Sequence, residues 1–191
     1  MPFISTKARE DATTAGSTKD NYLNPSSVKS GQKVRFTLLA EEPFMFYELW
    51  GNDVNDPQKR KPFRFIEEPT NEDISVKLGD DFVRSLTRDG KGPEACKIAH
   101  AVPVYNYDME RVQVFSWTQK TVTQALDNIS QLEDYEDSMT ECDFYLSRDG
   151  EGTDTRYTVQ AAPKKKAMAK TVDESWDAAQ EEGFDLSRLI D

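Results

Sequence analysis

Residues 110–132 read ERVQVFSWTQKTVTQALDNISQL, and the hydrophobic period changes in the middle of this stretch. As far as Trp117 the pattern has a period of two, which indicates a β-strand. Beyond it, apolar residues recur at helical spacing, at Val122, Ala125, Leu126, Ile129 and Leu132. Thr118 precedes this stripe and is a suitable N-cap. The stretch therefore predicts a strand over 110–117 and a helix over about 119–131.

Further strands are predicted on both sides of this stretch by alternation and by aromatic content. The upstream strands are expected over 32–39, 43–50, 61–66 and 99–107. Downstream, 142–148 and 155–160 are expected to pair through Asp149-Gly150-Glu151-Gly152, whose glycines suit positive φ in a hairpin. Residues 67–97 form an insertion of uncertain structure, within which 78–86 has the composition of a short helix.

This order predicts a mostly β protein with one or two helices. A helix ahead of the last two strands of a small antiparallel sheet is typical of an OB-fold-like antiparallel barrel. The candidate strands exceed the five of that fold, and an α+β sandwich with one covering helix fits the same order.

The two ends of the chain differ from the core in composition. Residues 1–31 lack an apolar pattern, and we expect a flexible N-terminal arm ahead of a core over 32–160. Residues 161–191 combine a basic linker with an acidic C-terminal tail. Within the tail, Thr171 and Glu174 have the spacing of a capping box, which favours a short helix over 171–180.

The chain has 191 residues and a formal net charge of -11. The segment 133–154 holds nine acids against Arg148, whereas 161–170 carries four lysines. The negative net charge argues against general affinity for duplex DNA, because such affinity depends on neutralising phosphates. It is compatible with a local basic groove.

The composition also indicates a location. No apolar run approaches the roughly 20 residues that span a bilayer, and the N-terminus lacks the apolar centre of a signal peptide. Cys96 and Cys142 are too few and too far apart for a disulfide framework. We expect a soluble protein of a reducing cytoplasm.

Catalytic signatures are weak. His100 is the only histidine, lies in an apolar strand and is expected to be structural. The segments 90–92 and 150–152 are too short to be phosphate loops, and the acids of 133–143 lack EF-hand spacing. The prediction is a protein that is not an enzyme and that has no metal and no cofactor.

The strand over 110–117 carries a possible nucleic-acid surface. Alternation places Arg111, Gln113, Phe115 and Trp117 on one face, opposite a face that we expect to be core. Unstacked bases stack on such aromatic rings while Arg contacts phosphate. A strand buried on both faces under the helix explains the pattern equally well.

Other predicted strands repeat this combination of cations and aromatic rings, as a binding groove would require. The full set of predicted nucleic-acid-binding residues is Lys33, Arg35, Lys59, Arg60, Lys61, Phe63, Arg64, Phe65, Tyr105, Tyr107, Arg111, Gln113, Phe115, Trp117, Lys120, Arg148, Arg156 and Tyr157. An acidic tail can compete with DNA for such a groove and present a peptide to partners. Its predicted partner-binding residues are Trp176, Phe184, Leu186, Leu189 and Ile190.

RVQVFSWTQKTV (111–122), the helix to Ile129 and DFYLSRDGEGTDTRYTV (143–159) together resemble a group of bacteriophage single-stranded DNA-binding proteins. The resemblance extends to KPFRF (61–65), the lysine-bearing linker and GFDLSRLI (183–190). It implies an OB-like core, cooperative coating of single strands in phage replication and a tail that recruits partners. The chain lacks the ligands of the branch that carries a zinc module, so 67–97 replaces that module or the module is absent.

The sequence thus predicts a sequence-nonspecific single-stranded DNA-binding protein of phage replication or recombination that can self-associate along the strand. Its tail is expected to recruit a polymerase, helicase or primase, and no membrane partner is expected. The alternative is an acidic interaction protein or DNA mimic that binds a host or phage protein through 133–154. An enzyme with an undetected carboxylate site is a third and weaker hypothesis.

Overall fold

The fold was examined in a computed structural model, which describes residues 21–53, 56–87, 89–133, 135 and 138–190. The predicted arm over 1–20 lies outside the described residues. Within them the chain forms eight strands and three α-helices. The strands are β1 (Tyr22–Leu23), β2 (Gln32–Leu38), β3 (Phe44–Asp53), β4 (Asp56–Phe65), β5 (Lys97–Asn106), β6 (Arg111–Trp117), β7 (Cys142–Asp149) and β8 (Arg156–Pro163). The helices are α1 (Asn71–Leu78), α2 (Lys120–Ser130) and α3 (Ala169–Glu181).

All described strands belong to one open, mixed sheet. Its main path runs β1-β6-β5-β2-β7-β8, and β3 joins β5 and carries β4. The ten-residue β5 pairs with two strands along the same edge. β3 pairs with its first half, 97–101, and β2 pairs with its end, 104–106. The predicted mostly β class is confirmed, and the sheet is consistent with an OB-like fold. The third helix exceeds the predicted one or two.

The main hydrophobic core lies between the sheet and α2. Directly paired residues of neighbouring strands share a face, so Phe36, Phe144 and Phe115 project from the same side as Val102. We call this side the inner face. The apolar stripe of α2 packs on it, with Val122 fully buried. The helix begins after Gln119 and has no side-chain cap, so the predicted N-cap at Thr118 is wrong by one position.

The inner face corrects the functional prediction for β6. Phe115 is 0% exposed and Trp117 is 5% exposed, because α2 covers them, and Gln113 is buried beside them. The sequence alternation was therefore assigned to the wrong surface: the aromatic side of β6 is core. Of the four side chains predicted to face DNA here, Arg111 is exposed.

The other face of the sheet, which we call the outer face, is partly covered by the C-terminal segment. Val172 of α3 is buried against Tyr105 and Tyr107. Leu189 is buried against β3 and β5, where Arg64 Nη1 donates a hydrogen bond of 3.3 Å to its carbonyl. The predicted helix over 171–180 lies within α3, which begins at Ala169 and has no side-chain cap at Thr171. Both α3 and the terminal turn pack on the outer face.

The predicted arm also differs from the structure over 21–31. β1 pairs in parallel with β6, and Leu23 and Val28 are buried in the main core. Arg148 Nη1 donates to the carbonyls of Ser26 and Val28, at 3.2 Å each. These contacts place 21–31 in the folded core.

The 67–97 insertion forms a small lobe on β3 and β4. α1 begins at a capping box in which Thr70 and Asp73 exchange hydrogen bonds. The helix suggested over 78–86 is absent there, because Arg84 forms a β-bridge to Gly51 and Phe82 packs where a Cβ of Gly51 would lie. No helix in the described part of the chain is long and apolar enough to cross a membrane.

The burial of Phe115 yields a stability prediction. Phe115→Ala should lower the free energy of unfolding by about 3–5 kcal/mol, because it leaves a cavity in a packed core. Met45→Ala, at a side chain that is half exposed, should change it by roughly 0.5 kcal/mol or less. Urea unfolding of both variants tests this, and equal small losses would contradict the burial of the β6 aromatic side.

Candidate nucleic-acid interface

Three neighbouring strands present a polar surface on the outer face. β7 pairs with β2 on one side and with β8 on the other, in continuous antiparallel register. The inner-facing residues of these strands are mainly apolar, and the residues that alternate with them face outward and are polar or small. We call this surface the polar sheet face; it comprises Lys33, Arg35, Thr37, Asp143, Tyr145, Ser147, Asp149, Arg156, Thr158, Gln160 and Ala162.

Tyr145 lies at the centre of the polar sheet face. It is directly opposite Arg35 on β2 and Gln160 on β8. Lys33 Nζ lies 4.7 Å from the centroid of its ring, and the Arg35 guanidinium carbon lies 5.3 Å from it. Arg35 Nη1 also donates a hydrogen bond of 3.1 Å to the Tyr145 hydroxyl. Two cations of β2 thus lie beside one half-buried aromatic ring.

A buried carboxylate fixes this arrangement. Asp143 is fully buried and accepts from Arg35 Nε at 2.8 Å, from the Tyr107 hydroxyl at 3.0 Å and from the Lys165 backbone N–H at 3.1 Å. Burial disfavours the charged form of Arg35, but its hydrogen bond and ion pair with Asp143 outweigh this and raise its pKa. Burial, followed by the Asp143 charge, raises the pKa of Tyr107. The guanidinium therefore stays ionised and oriented.

The charge at the surface of this face is mainly positive. Asp143 is neutralised below the surface by Arg35, at an Nη2–Oδ2 distance of 2.7 Å. Lys33 and Arg156 are exposed, and exposed Lys165 borders the face with its Nζ 4.7 Å from the Tyr107 ring. Asp149, paired in register with Arg156, is the exposed acid at the far end. The local sign is thus opposite to that of the whole chain.

The structure gathers only part of the predicted site. Lys33, Arg35 and Arg156 lie on the polar sheet face, and Tyr107 lies buried beneath Arg35. Tyr105 is 1% exposed and stacks edge-on against Tyr107, so it is a core residue.

The predicted residues of β4 mostly serve the fold. Phe63 and Phe65 are buried beneath α1. The cations next to them are engaged within the protein: Arg60 with Ser85 and Glu94, Lys61 with Asp53, and Arg64 with Glu48. Lys59 remains exposed near the β3–β4 hairpin. This strand lies away from the polar sheet face in the strand order, so the two groups do not form one predicted groove.

The remaining predicted residues are dispersed. Arg148 anchors 26–28, as described above, and Tyr157 packs against the main core. Lys120 is exposed at the first turn of α2, on the inner side of the sheet. In the tail, Trp176 and Phe184 stack edge-on at 5.2 Å, while Leu186, Leu189 and Ile190 pack on the outer face of β3, β5 and β6.

Sequence reasoning missed the centre of the surface. Tyr145, Ser147, Thr158, Gln160 and Lys165 were absent from the predicted set. The signal was present, since 142–148 alternates Cys142, Phe144 and Leu146 with polar residues just as 32–38 alternates. The pairing of β2 with β7 cannot be read from local alternation, and it is this pairing that joins two polar strand faces far apart in the sequence.

The polar sheet face combines an aromatic ring, cations and neutral hydrogen-bonding groups without an acid–base pair or a nucleophile at its centre. No group of three or more potential metal ligands occurs among the described residues. Comparison of the chain with protein families, with characterised proteins and with solved structures finds no match.

The buried Tyr107–Asp143 contact predicts a dependence of stability on alkaline pH. The raised pKa of Tyr107 means that an unfolded chain loses this proton near pH 10 while the folded chain retains it. Stability is therefore fully present below about pH 9 and falls as pH rises further, by up to about 1.4 kcal/mol per unit.

Tyr107→Phe should flatten this fall between about pH 9 and 11, although it is less stable at neutral pH because Asp143 loses a donor. Urea unfolding across the range provides the measurement. Parallel pH profiles for the two proteins would show that Tyr107 does not titrate as the structure implies.

Proposed function

We propose that this protein binds single-stranded DNA without sequence specificity and without catalysis, through the polar sheet face. The observation that supports this best is the Tyr145 ring, half buried at the sheet surface beside Lys33 and Arg35. Proteins that bind single strands combine aromatic platforms with cations that follow the backbone. The face offers both within three adjacent strands.

In this proposal Lys33 moves from the Tyr145 ring to a phosphate, and a base stacks against the ring in its place. The edge of the base meets neutral groups of β8. Gln160 and Thr158 are exposed on the same face and can donate or accept hydrogen bonds. Lys33, Arg156 and Lys165 contact phosphates, whereas Arg35 positions the ring because its guanidinium is committed to Asp143. Bases in a duplex are already stacked and paired, so this surface favours unpaired strands.

The C-terminal segment is proposed to recruit replication proteins such as a polymerase, helicase or primase. The acids of α3 are exposed at Asp173, Glu174 and Asp177, next to the half-buried Trp176. The apolar residues of the terminal turn are engaged with the sheet, so a partner would first meet the acidic helix. The sequence resemblance supports a role in phage replication or recombination, in the cytoplasm of the host.

The decisive variant is Tyr145→Ala, compared with Tyr145→Phe. Removing the ring should weaken binding of an oligothymidine by about 1–3 kcal/mol, the usual contribution of one base–aromatic contact. Tyr145→Phe keeps the ring and should retain most of the affinity. Fluorescence anisotropy of a labelled oligonucleotide measures both, with urea unfolding as the check that each variant is folded.

A charge control separates this surface from general basicity. Lys33→Ala should weaken binding, whereas Lys91→Ala, at an exposed loop lysine, should leave it unchanged. Equal affinity of wild type, Tyr145→Ala and Lys33→Ala would remove the polar sheet face from the site. An absence of any binding by the wild type would remove the proposed function itself.

A further inference from the structure

A row of aromatic rings crosses the inner face and ends at a cavity. Phe144 stacks on Phe36 at 5.5 Å, and Phe36 contacts Phe115 at 5.0 Å. Phe115 stacks on Trp117 at 4.7 Å, and Trp117 stacks on His100 at 5.2 Å with an interplanar angle of 14°. The row thus begins in the buried core and finishes at His100, which is only half buried.

The last ring borders open space. His100 lines two adjoining cavities of about 270 Å³ and 810 Å³ between α2 and the β3–β5 sheet surface. Both cavities also include Thr123 and Asp127 of α2. On the sheet, Tyr47 and Ile98 pair directly and line the larger cavity, with Ile98 48% exposed. We call this space the His100 groove. It is large enough for a planar heterocycle with a sugar attached.

His100 has unused hydrogen-bonding capacity. Its Nδ1 atom is buried and has no hydrogen-bond partner among the described residues. A buried nitrogen without a partner is costly, and such groups in folded proteins usually have an explanation. Burial lowers the pKa of the imidazole, so the ring is neutral near pH 7 and can serve as an uncharged aromatic surface for stacking.

The rim of the groove supplies the other groups that a nucleotide requires. Lys97 of β5 and Lys120 of α2 both line the larger cavity and are exposed. Glu68 lines it as well, and Lys97 Nζ lies 3.9 Å from Glu94 Oε1, so Lys120 is the cation more available to a phosphate. Asp127 presents a carboxylate that can accept from the N–H groups of a base. The Thr123 hydroxyl already accepts a hydrogen bond of 3.1 Å from Trp117 Nε1, so it holds the indole in place.

We propose that the His100 groove binds a single nucleotide unit, with its base extending the aromatic row on His100 and its phosphate near Lys120 and Lys97. The base edge donates to the Asp127 carboxylate. The unit is either a free nucleotide or one residue of a nucleic-acid strand. The groove lies on the inner side of the sheet, so this inference goes beyond the proposed function of the polar sheet face and can fail separately from it.

The protein contains one histidine, which makes the experiment specific. The imidazole signals of His100 are followed by NMR while each nucleoside monophosphate, or ribose 5-phosphate, is added to the full chain. We expect saturable shifts with at least one nucleotide and none with the sugar phosphate. Equal shifts with ribose 5-phosphate would overturn the stacking of a base, and no shift with any nucleotide or oligonucleotide would overturn the site.

A second titration shows whether the bound nucleotide is free or is one residue of a nucleic-acid strand. Shifts with free nucleotides identify a mononucleotide site, whereas shifts only with an oligonucleotide identify a strand residue; both outcomes support the groove. The oligonucleotide shift must persist in Tyr145→Ala, because the polar sheet face is a different surface. Its loss in that variant would overturn direct binding at His100.

Lys120→Glu tests the phosphate contact, with Lys170→Glu as the matched control. Both lysines are exposed in the first turn of a helix, so both substitutions act alike on the helix dipole. Lys120→Glu should weaken nucleotide binding roughly three- to tenfold, while Lys170→Glu should leave it unchanged. Equal effects of the two variants would overturn the assigned position of the phosphate.

Discussion

The outer face of the sheet depends on the hydrogen bonds and the ion pair that the buried carboxylate of Asp143 makes. This carboxylate is completely buried, and an ionised buried carboxylate is tolerated only when it is paired and hydrogen-bonded. Its partners come from three separate places: Arg35 on β2, Tyr107 after β5 and the backbone of Lys165 after β8. Removing one partner would leave a buried charge uncompensated, so these segments are constrained together.

This constraint also shapes the surface above it. Arg35 is held from below by Asp143 and from the side by the Pro163 carbonyl, to which Nη2 donates at 2.7 Å. Its orientation positions it beside Tyr145, with Lys33 near the same ring. The aromatic–cationic surface is therefore preorganised, and little side-chain entropy remains to be lost when a ligand binds. The acidic total of the chain coexists with this surface because Asp143 is neutralised beneath it.

The two faces of the sheet have different organisation. The inner face is an apolar and aromatic core that opens at His100, while the outer face is polar over β2, β7 and β8 and covered by the C-terminal segment elsewhere. The segment covers apolar residues of β3, β5 and β6, which would otherwise be exposed. The polar strands need no such cover over their whole length, and Lys33, Arg156, Thr158 and Gln160 are exposed there.

The sequence predicted what depends on local periodicity. The mostly β class, the helix after Trp117 and the polar side of β2 follow from spacing alone. For β6 the sequence left two arrangements open, a DNA-facing aromatic side and a strand buried on both sides. The structure shows the second, because α2 covers one side and the C-terminal segment covers the other. Predicting Tyr145 as the centre of the candidate site would have required knowledge of the pairing of β2 with β7, which joins residues more than one hundred positions apart. The packing of residues 21–31 and 161–190 depends on a few apolar side chains, such as Leu23 and Leu189, within polar segments.

The most direct test of the account locates bound DNA on the protein. An oligothymidine of about 30 nucleotides, longer than the roughly 4–16 that one OB fold covers, is crosslinked to the full chain by ultraviolet light. Mass spectrometry then identifies the modified peptides. The account predicts adducts at Tyr145 and in the neighbouring peptides of β2 and β8. Adducts confined to β4, or no adduct under conditions of saturation, would contradict it.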